Sequence, residues 1–183
     1  EAGDILILTK PLGTGTLLAA DMRYQASHQW MQDALSSMAQ SNKEAAACFQ
    51  KFSATACTDI TGFGIAGHLL EMLAANNTEI ELSLSDVPVL DGALETLQQN
   101  IYSSLHKDNS LVARDIFNQE AFDQDPRYQL LFDPQTAGGL LASIPESKAE
   151  DCLSLLRESG YSQAKAIGRV SKRDAVQAAI ILK

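Results

Sequence analysis

The stretch Cys57-Thr58-Asp59-Ile60-Thr61-Gly62-Phe63-Gly64-Ile65-Ala66-Gly67-His68 constrains the fold of this chain more than any other. A short strand, expected over residues 54–58, runs into glycines, and a helix starts directly beyond them. Ile65, Leu69, Met72 and Leu73 give that helix one apolar face, expected to run to Asn76-Asn77. A chain that turns from extended to helical over so few residues lays the helix back across its own sheet, which demands a layered architecture. Glycines at such a turn also let the backbone approach a ligand, and the free N–H groups of a helix start favour anions.

Similar alternation runs along the rest of the sequence. Residues 5–8 (I-L-I-L) read as a buried strand, closed by Thr9-Lys10-Pro11 and the turn Gly13-Thr14-Gly15. A helix-rich region is expected over 16–52. In it, Ser41 and Glu44 have capping-box spacing, and Ala45, Cys48, Phe49 and Phe52 share a face. Residues 79–84 alternate polar and apolar as a half-buried strand, and 91–99 read as helix. No period is visible over 102–127. Strands are expected at 129–132, 139–143, 166–170 and 176–182. A helix carrying Ala149, Cys152, Leu153 and Leu156 lies between them, with Ser147 and Glu150 as a capping box and Gly160 as its stop. The order implies one α/β or α+β domain spanning residues 1–183, with no interdomain linker.

Charge and cysteines narrow the function. Among 183 residues, 14 Lys+Arg face 23 Asp+Glu, a net charge of −9, which argues against a nucleic-acid partner. No apolar run approaches the roughly 18 residues of a membrane span, so no membrane partner is expected. Cys48, Cys57 and Cys152 are odd in number and lack C-x-x-C spacing, which suits a reduced cytoplasmic protein better than a disulfide scaffold or zinc site. The chain opens on Glu1 rather than Met, with strand residues close behind Asp4, so a longer parent is expected.

Two familiar motifs almost fit the glycine turn. Gly62-x-Gly64-x-x-Gly67 matches a dinucleotide fingerprint, with Glu81 about where a ribose-binding acid would stand, but Glu81 continues into Leu82-Ser83-Leu84 instead of ending its strand. Gly62 and Gly67 also have P-loop spacing, yet His68 and Leu69 replace the required Lys and Ser/Thr. Asp59 either holds Mg²⁺ at the strand end or caps the following turn; local sequence leaves these two readings even. Asp133-Pro134-Gln135-Thr136-Ala137-Gly138-Gly139 reads first as a tight strand-to-strand connection, and Lys10 as a solvated lysine beside a turn. His28, His68 and His106 show no paired-ligand spacing. Trp30, Met31, Ala34, Leu35 and Met38 form a helical stripe that reads as core or a docking face.

Three segments, L-T-K-P-L-G-T-G, A-C-T-D-I-T-G-F-G-I-A-G-H and D-P-Q-T-A-G-G-L-L, occur in this order, and together they resemble the selenophosphate synthetase (selenide, water dikinase) family. The resemblance runs from about Gly3 to Val170 and covers the C-terminal half of such an enzyme. It implies an α+β fold: a mixed sheet flanked by helices, partly ferredoxin-like, of the C-terminal type shared with aminoimidazole ribonucleotide synthetase. It also implies conversion of selenide, ATP and water to selenophosphate, AMP and phosphate, with Mg²⁺ required. Asp59 matches the family's one magnesium-binding aspartate in this half, which moves the even reading towards metal ligand. The nucleophilic Cys or selenocysteine, its lysine and most ATP contacts belong to the N-terminal half. None of Cys48, Cys57 and Cys152 therefore inherits that role, and the fragment alone is expected to be inactive. Ala137 stands where the family more often has Ser. The expected partners are ATP, selenide and the N-terminal domain, with a homodimer for the full-length enzyme. A non-catalytic docking module and a dinucleotide-binding domain are the alternatives.

Overall fold

The computed structural model describes residues 1–73, 77–173 and 179–183. In chain order it comprises β1 (Ile5–Leu8), α1 (Thr14–Asp21), α2 (His28–Ala39), α3 (Lys43–Lys51), β2 (Ala56–Asp59) and α4 (Gly64–Leu73). Then follow β3 (Thr78–Leu82), α5 (Ala93–Gln98), α6 (His106–Asn109), β4 (Ile116–Phe117) and α7 (Pro126–Leu130). The chain closes through β5 (Leu140–Ile144), α8 (Glu146–Glu158), β6 (Lys165–Lys172) and β7 (Ile180–Leu182).

The strands form one mixed sheet of seven, ordered β2-β5-β1-β6-β3-β7-β4. β5 and β6 flank β1, both antiparallel to it, and β2 lies at one edge, antiparallel to β5. β7 runs parallel to both β3 and β4. The I-L-I-L run explains why helices cover both faces. Leu6 and Leu8 point into a core shared with Ile65, Leu69 and Phe132, while Ile7 points into a second core with Phe49, Cys152 and Leu156. α4 and α7 thus lie over one face, and α3 and α8 over the other. This is the mixed sheet flanked by helices that the resemblance implied.

Several local expectations need correction. Residues 129–132 do not form a strand: Leu130 ends helix α7, and Leu131 and Phe132 follow it into the core. Asp125 begins that helix by accepting the Arg127 N–H at 2.9 Å, with Pro126 as its first residue, and this start signal outweighs a short apolar run. Neither capping box forms. Ser41 Oγ accepts from Lys43 N, with Asn42 as N-cap of α3, and α8 starts from Pro145, which places Ser147 inside the helix. The ends expected at Asn76-Asn77 and from Val176 onward fall partly outside the described residues. Leu35 is 56% exposed, so the α2 stripe is core at Trp30, Met31 and Ala34 only.

Candidate functional site

Asp59 is the last residue of edge strand β2, paired across the ladder with Leu140. It is exposed, and its carboxylate makes no hydrogen bond or ion pair among the described residues. A turn-capping role would show an accepted N–H, so the structure gives the capping alternative no contact. Beyond Asp59 the backbone is held tightly. Ile60 N donates to Gly139 O at 2.9 Å, Thr61 N to His68 Nε2 at 3.0 Å, and Ala66 N to Leu131 O at 3.0 Å. Gly64, at φ 70, is required here: a Cβ would stand 2.9 Å from Leu131 O. Among the described residues no group accepts from the N–H of Gly62 or Phe63, at the tip of the turn.

The other two segments are drawn to the same place by buried polar contacts. Gln135 Oε1 accepts from Gly13 N at 3.0 Å, Thr14 N at 3.2 Å and Thr14 Oγ1 at 3.1 Å. Asp133 Oδ2 accepts from Gly15 N at 3.1 Å and from Gln135 Nε2 at 2.9 Å. The first N–H groups of α1 are thus satisfied by a loop far along the chain. Burial pushes the Asp133 carboxyl up to about 7, opposed by the donors on Thr16, Gln135 and Gly15. Lys10 is not solvated: it is 2% exposed, and its ammonium donates to Ser37 O, Gln40 O and Ala137 O at 3.1, 2.6 and 3.3 Å. Burial lowers its pKa. Lys10 therefore closes the C-terminal end of α2, where helix carbonyls attract a cation. The Asp133 loop joins a helix to a strand and acts as a clamp. Asp133 Oδ1 is buried without a partner, whereas the Asp59 turn presents its unused polar groups, among the described residues, at the surface.

Gly62 lines a cleft of about 440 Å³ together with Gly15, Arg23, Tyr102, Pro134 and Thr136. Met22 and Leu105 line the same cleft, 77% and 47% exposed, and Phe63 beside it is 59% exposed. The two near-fits fail on topology as well as sequence. Among the described residues β2 is an antiparallel edge strand with no parallel neighbour, whereas a dinucleotide fold needs parallel strands on either side of its glycine turn.

The profile of the AIR synthase related protein, C-terminal domain, matches residues 1–181. The chain belongs to this family. It is 39% identical over 174 residues to a selenide, water dikinase of Clostridioides difficile (strain 630), across 93% of this chain and 49% of that protein. A selenide, water dikinase of Clostridium botulinum (strain Alaska E43 / Type E3) is 38% identical over 170 residues, with the same coverage of each chain. The chain therefore spans about half the length of the curated relatives it matches. Among solved structures, E. coli HypE, a hydrogenase maturation protein, superposes with a TM-score of 0.68 at 20% identity, over all of this chain and 46% of HypE. Thiamine monophosphate kinase from Aquifex aeolicus gives 0.60 at 15% identity, over all of this chain and 50% of the kinase. These two likenesses establish the fold.

In this AIR synthase related domain the remaining chemical side chains are structural. Cys48 and Cys152 are buried between α3 and α8 with sulfurs 3.8 Å apart, and burial pushes the Cys152 thiol up to about 12, aided by Cys48. His106 Nε2 donates to Gln129 O at 3.0 Å, and the ring stacks on Tyr102, with its pKa lowered by burial. Among the described residues no three His, Cys, Asp or Glu side chains group as a metal site, and no helix is long and apolar enough to cross a membrane. Sequence reasoning missed Gln135 and Asp133 as clamp residues. Their partners lie more than a hundred residues away, and no local signal announces them.

Proposed function

We propose that this chain is the C-terminal domain of a selenide, water dikinase and forms one wall of its nucleotide cleft. The observation that carries the reading is 39% identity with a selenide, water dikinase across 93% of the chain. The reaction makes selenophosphate, AMP and phosphate from selenide, ATP and water. HypE in complex with ATP shares the fold at a TM-score of 0.62, and a thiamine monophosphate kinase with AMPPCP does so at 0.61, which supports ATP as the nucleotide.

Asp59 fits a Mg²⁺ ligand. It is an exposed carboxylate without a partner among the described residues, and Mg²⁺ is commonly held by one or two carboxylates while substrate phosphates fill other positions. With one acid here, the further ligands would have to come from the nucleotide and from the other half of the enzyme. Held there, Mg²⁺ would supply charge neutralisation to the polyphosphate during phosphoryl transfer. This domain supplies the carboxylate, the free N–H groups of Gly62 and Phe63, and a rigid turn that carries both. Met22, Phe63 and Leu105 form an apolar rim that the N-terminal half covers. The full-length enzyme is a cytoplasmic homodimer that pairs through that other half.

The test is Asp59→Asn in the full-length enzyme. Turnover should fall about tenfold or more, with a higher Mg²⁺ requirement; unchanged turnover and Mg²⁺ dependence would remove the assignment. The isolated chain should consume no ATP with selenide until the N-terminal half is supplied. Docking of that half without restored turnover would favour a non-catalytic module.

A further inference from the structure

We infer that His68 is a positioning residue for the Asp59 turn, acting through one backbone N–H. A backbone N–H can only donate, so the 3.0 Å contact from Thr61 N makes His68 Nε2 an unprotonated acceptor, and the Thr61 hydroxyl, 3.1 Å from the same nitrogen, then donates to it as well. The ring proton then sits on Nδ1, 3.1 Å from Glu71 Oε2, and is donated to that carboxylate. His68 is 4% exposed, and the Phe63 ring meets it edge-on at 5.7 Å. The imidazole is thereby fixed in tautomer and in orientation.

Its effect reaches the turn because of where Thr61 stands. The Thr61 carbonyl accepts from Gly64 N at 3.2 Å and Gln135 N at 2.9 Å, so His68 supplies what the N–H side lacks. With both sides held, the peptide planes between Asp59 and the free N–H groups of Gly62 and Phe63 have one arrangement. Helix α4 thus reaches back from its second turn to set the strand exit from which it starts. This inference rests on the proposed role of Asp59 for its catalytic meaning, though not for its geometry.

Two substitutions separate the ring's two nitrogens. His68→Gln keeps an acceptor near Nε2, whereas His68→Asn keeps a donor near Nδ1 and loses the contact to Thr61. Amide exchange of Thr61, read by NMR, should quicken about tenfold in His68→Asn and stay within about threefold of the parent in His68→Gln. Parental protection in His68→Asn, or equal loss in both variants, would overturn the inference and leave the ring as filler. In the unsubstituted protein, ¹⁵N shifts at neutral pH should show the proton on Nδ1; a proton on Nε2 would overturn it without any mutation. In the full-length enzyme, His68→Asn should raise the Mg²⁺ requirement and His68→Gln should not. If exchange behaves as expected while Asp59→Asn leaves Mg²⁺ dependence intact, the positioning stands and the dikinase assignment of Asp59 falls.

Discussion

Asp133 Oδ2 accepts the Gly15 N–H at 3.1 Å across 118 residues of sequence, so a carboxylate from the loop after α7 caps helix α1. Gly15 suits the contact because a Cβ there would lie 2.7 Å from Asp133 Oδ1 and 2.3 Å from Pro134 O. The turn after β1 offers a helix N-terminus to an acceptor, and the carboxyl that takes it belongs to the protein itself. The Asp59 turn, by contrast, keeps its carboxylate and two N–H groups without a partner among the described residues.

The buried Asp133 gives a pH signature. Its pKa rises from 3.8 to about 7, so the folded state holds the proton more tightly than the unfolded chain does. That stabilisation is complete below about pH 3.8, declines as pH rises towards 7, and is gone above it. The swing is at most about 4 kcal/mol. Asp133→Asn should remove this slope between pH 4 and 7, as read from the difference in urea unfolding between variant and parent. Parallel curves would show that Asp133 titrates normally.

Lys10 donates to three carbonyls and makes no ion pair among the described residues. Lys10→Met keeps the bulk and strands those carbonyls in the interior, at a cost of about 2–4 kcal/mol. Chemical denaturation should show this as a lower midpoint with an unchanged slope. Loss below about 0.5 kcal/mol would mean that Lys10 is a surface lysine after all.

Gly138 packs directly on the strand exit: a Cβ there would sit 2.3 Å from Ile60 O, a backbone atom that cannot swing aside. Gly138→Ala should therefore cost about 2–3 kcal/mol and loosen the Asp59 turn. Thermal unfolding together with amide exchange at Ile60 reports both effects. Parental values for both would refute the close approach.

The three thiols should separate by accessibility. Cys57 is exposed on the edge strand, with its pKa raised by burial of the sulfur and by Asp59, while Cys48 and Cys152 are buried. Alkylation of the native protein at mildly alkaline pH should label Cys57 alone, and the other two only in denaturant. Rapid native labelling of Cys152 would contradict the α3–α8 packing.

Much of the architecture was legible locally. Strand β1, the turn into α4, and the apolar faces of α3 and α8 follow from side-chain period, because each element must bury one face. The strand expected at 129–132 failed because four apolar residues bury equally well at a helix end, and the Asp125-Pro126 start signal decided between them. Both capping boxes failed because Asn42 and Pro145 took the positions the serines were expected to fill.

The sequence alone determined the layered α+β class, the resemblance carried by three glycine-bearing segments, and Asp59 as the residue to watch, since all three depend on short-range pattern. Tertiary structure decided which segments face inward. Whether Lys10, Asp133 or Asp59 meets solvent depends on partners many residues away, and only packing brings those partners within hydrogen-bonding distance. Lys10 and Asp133 were consumed in fastening the fold; the Asp59 carboxylate at the sheet edge, which no described residue contacts, is the one proposed to take a ligand.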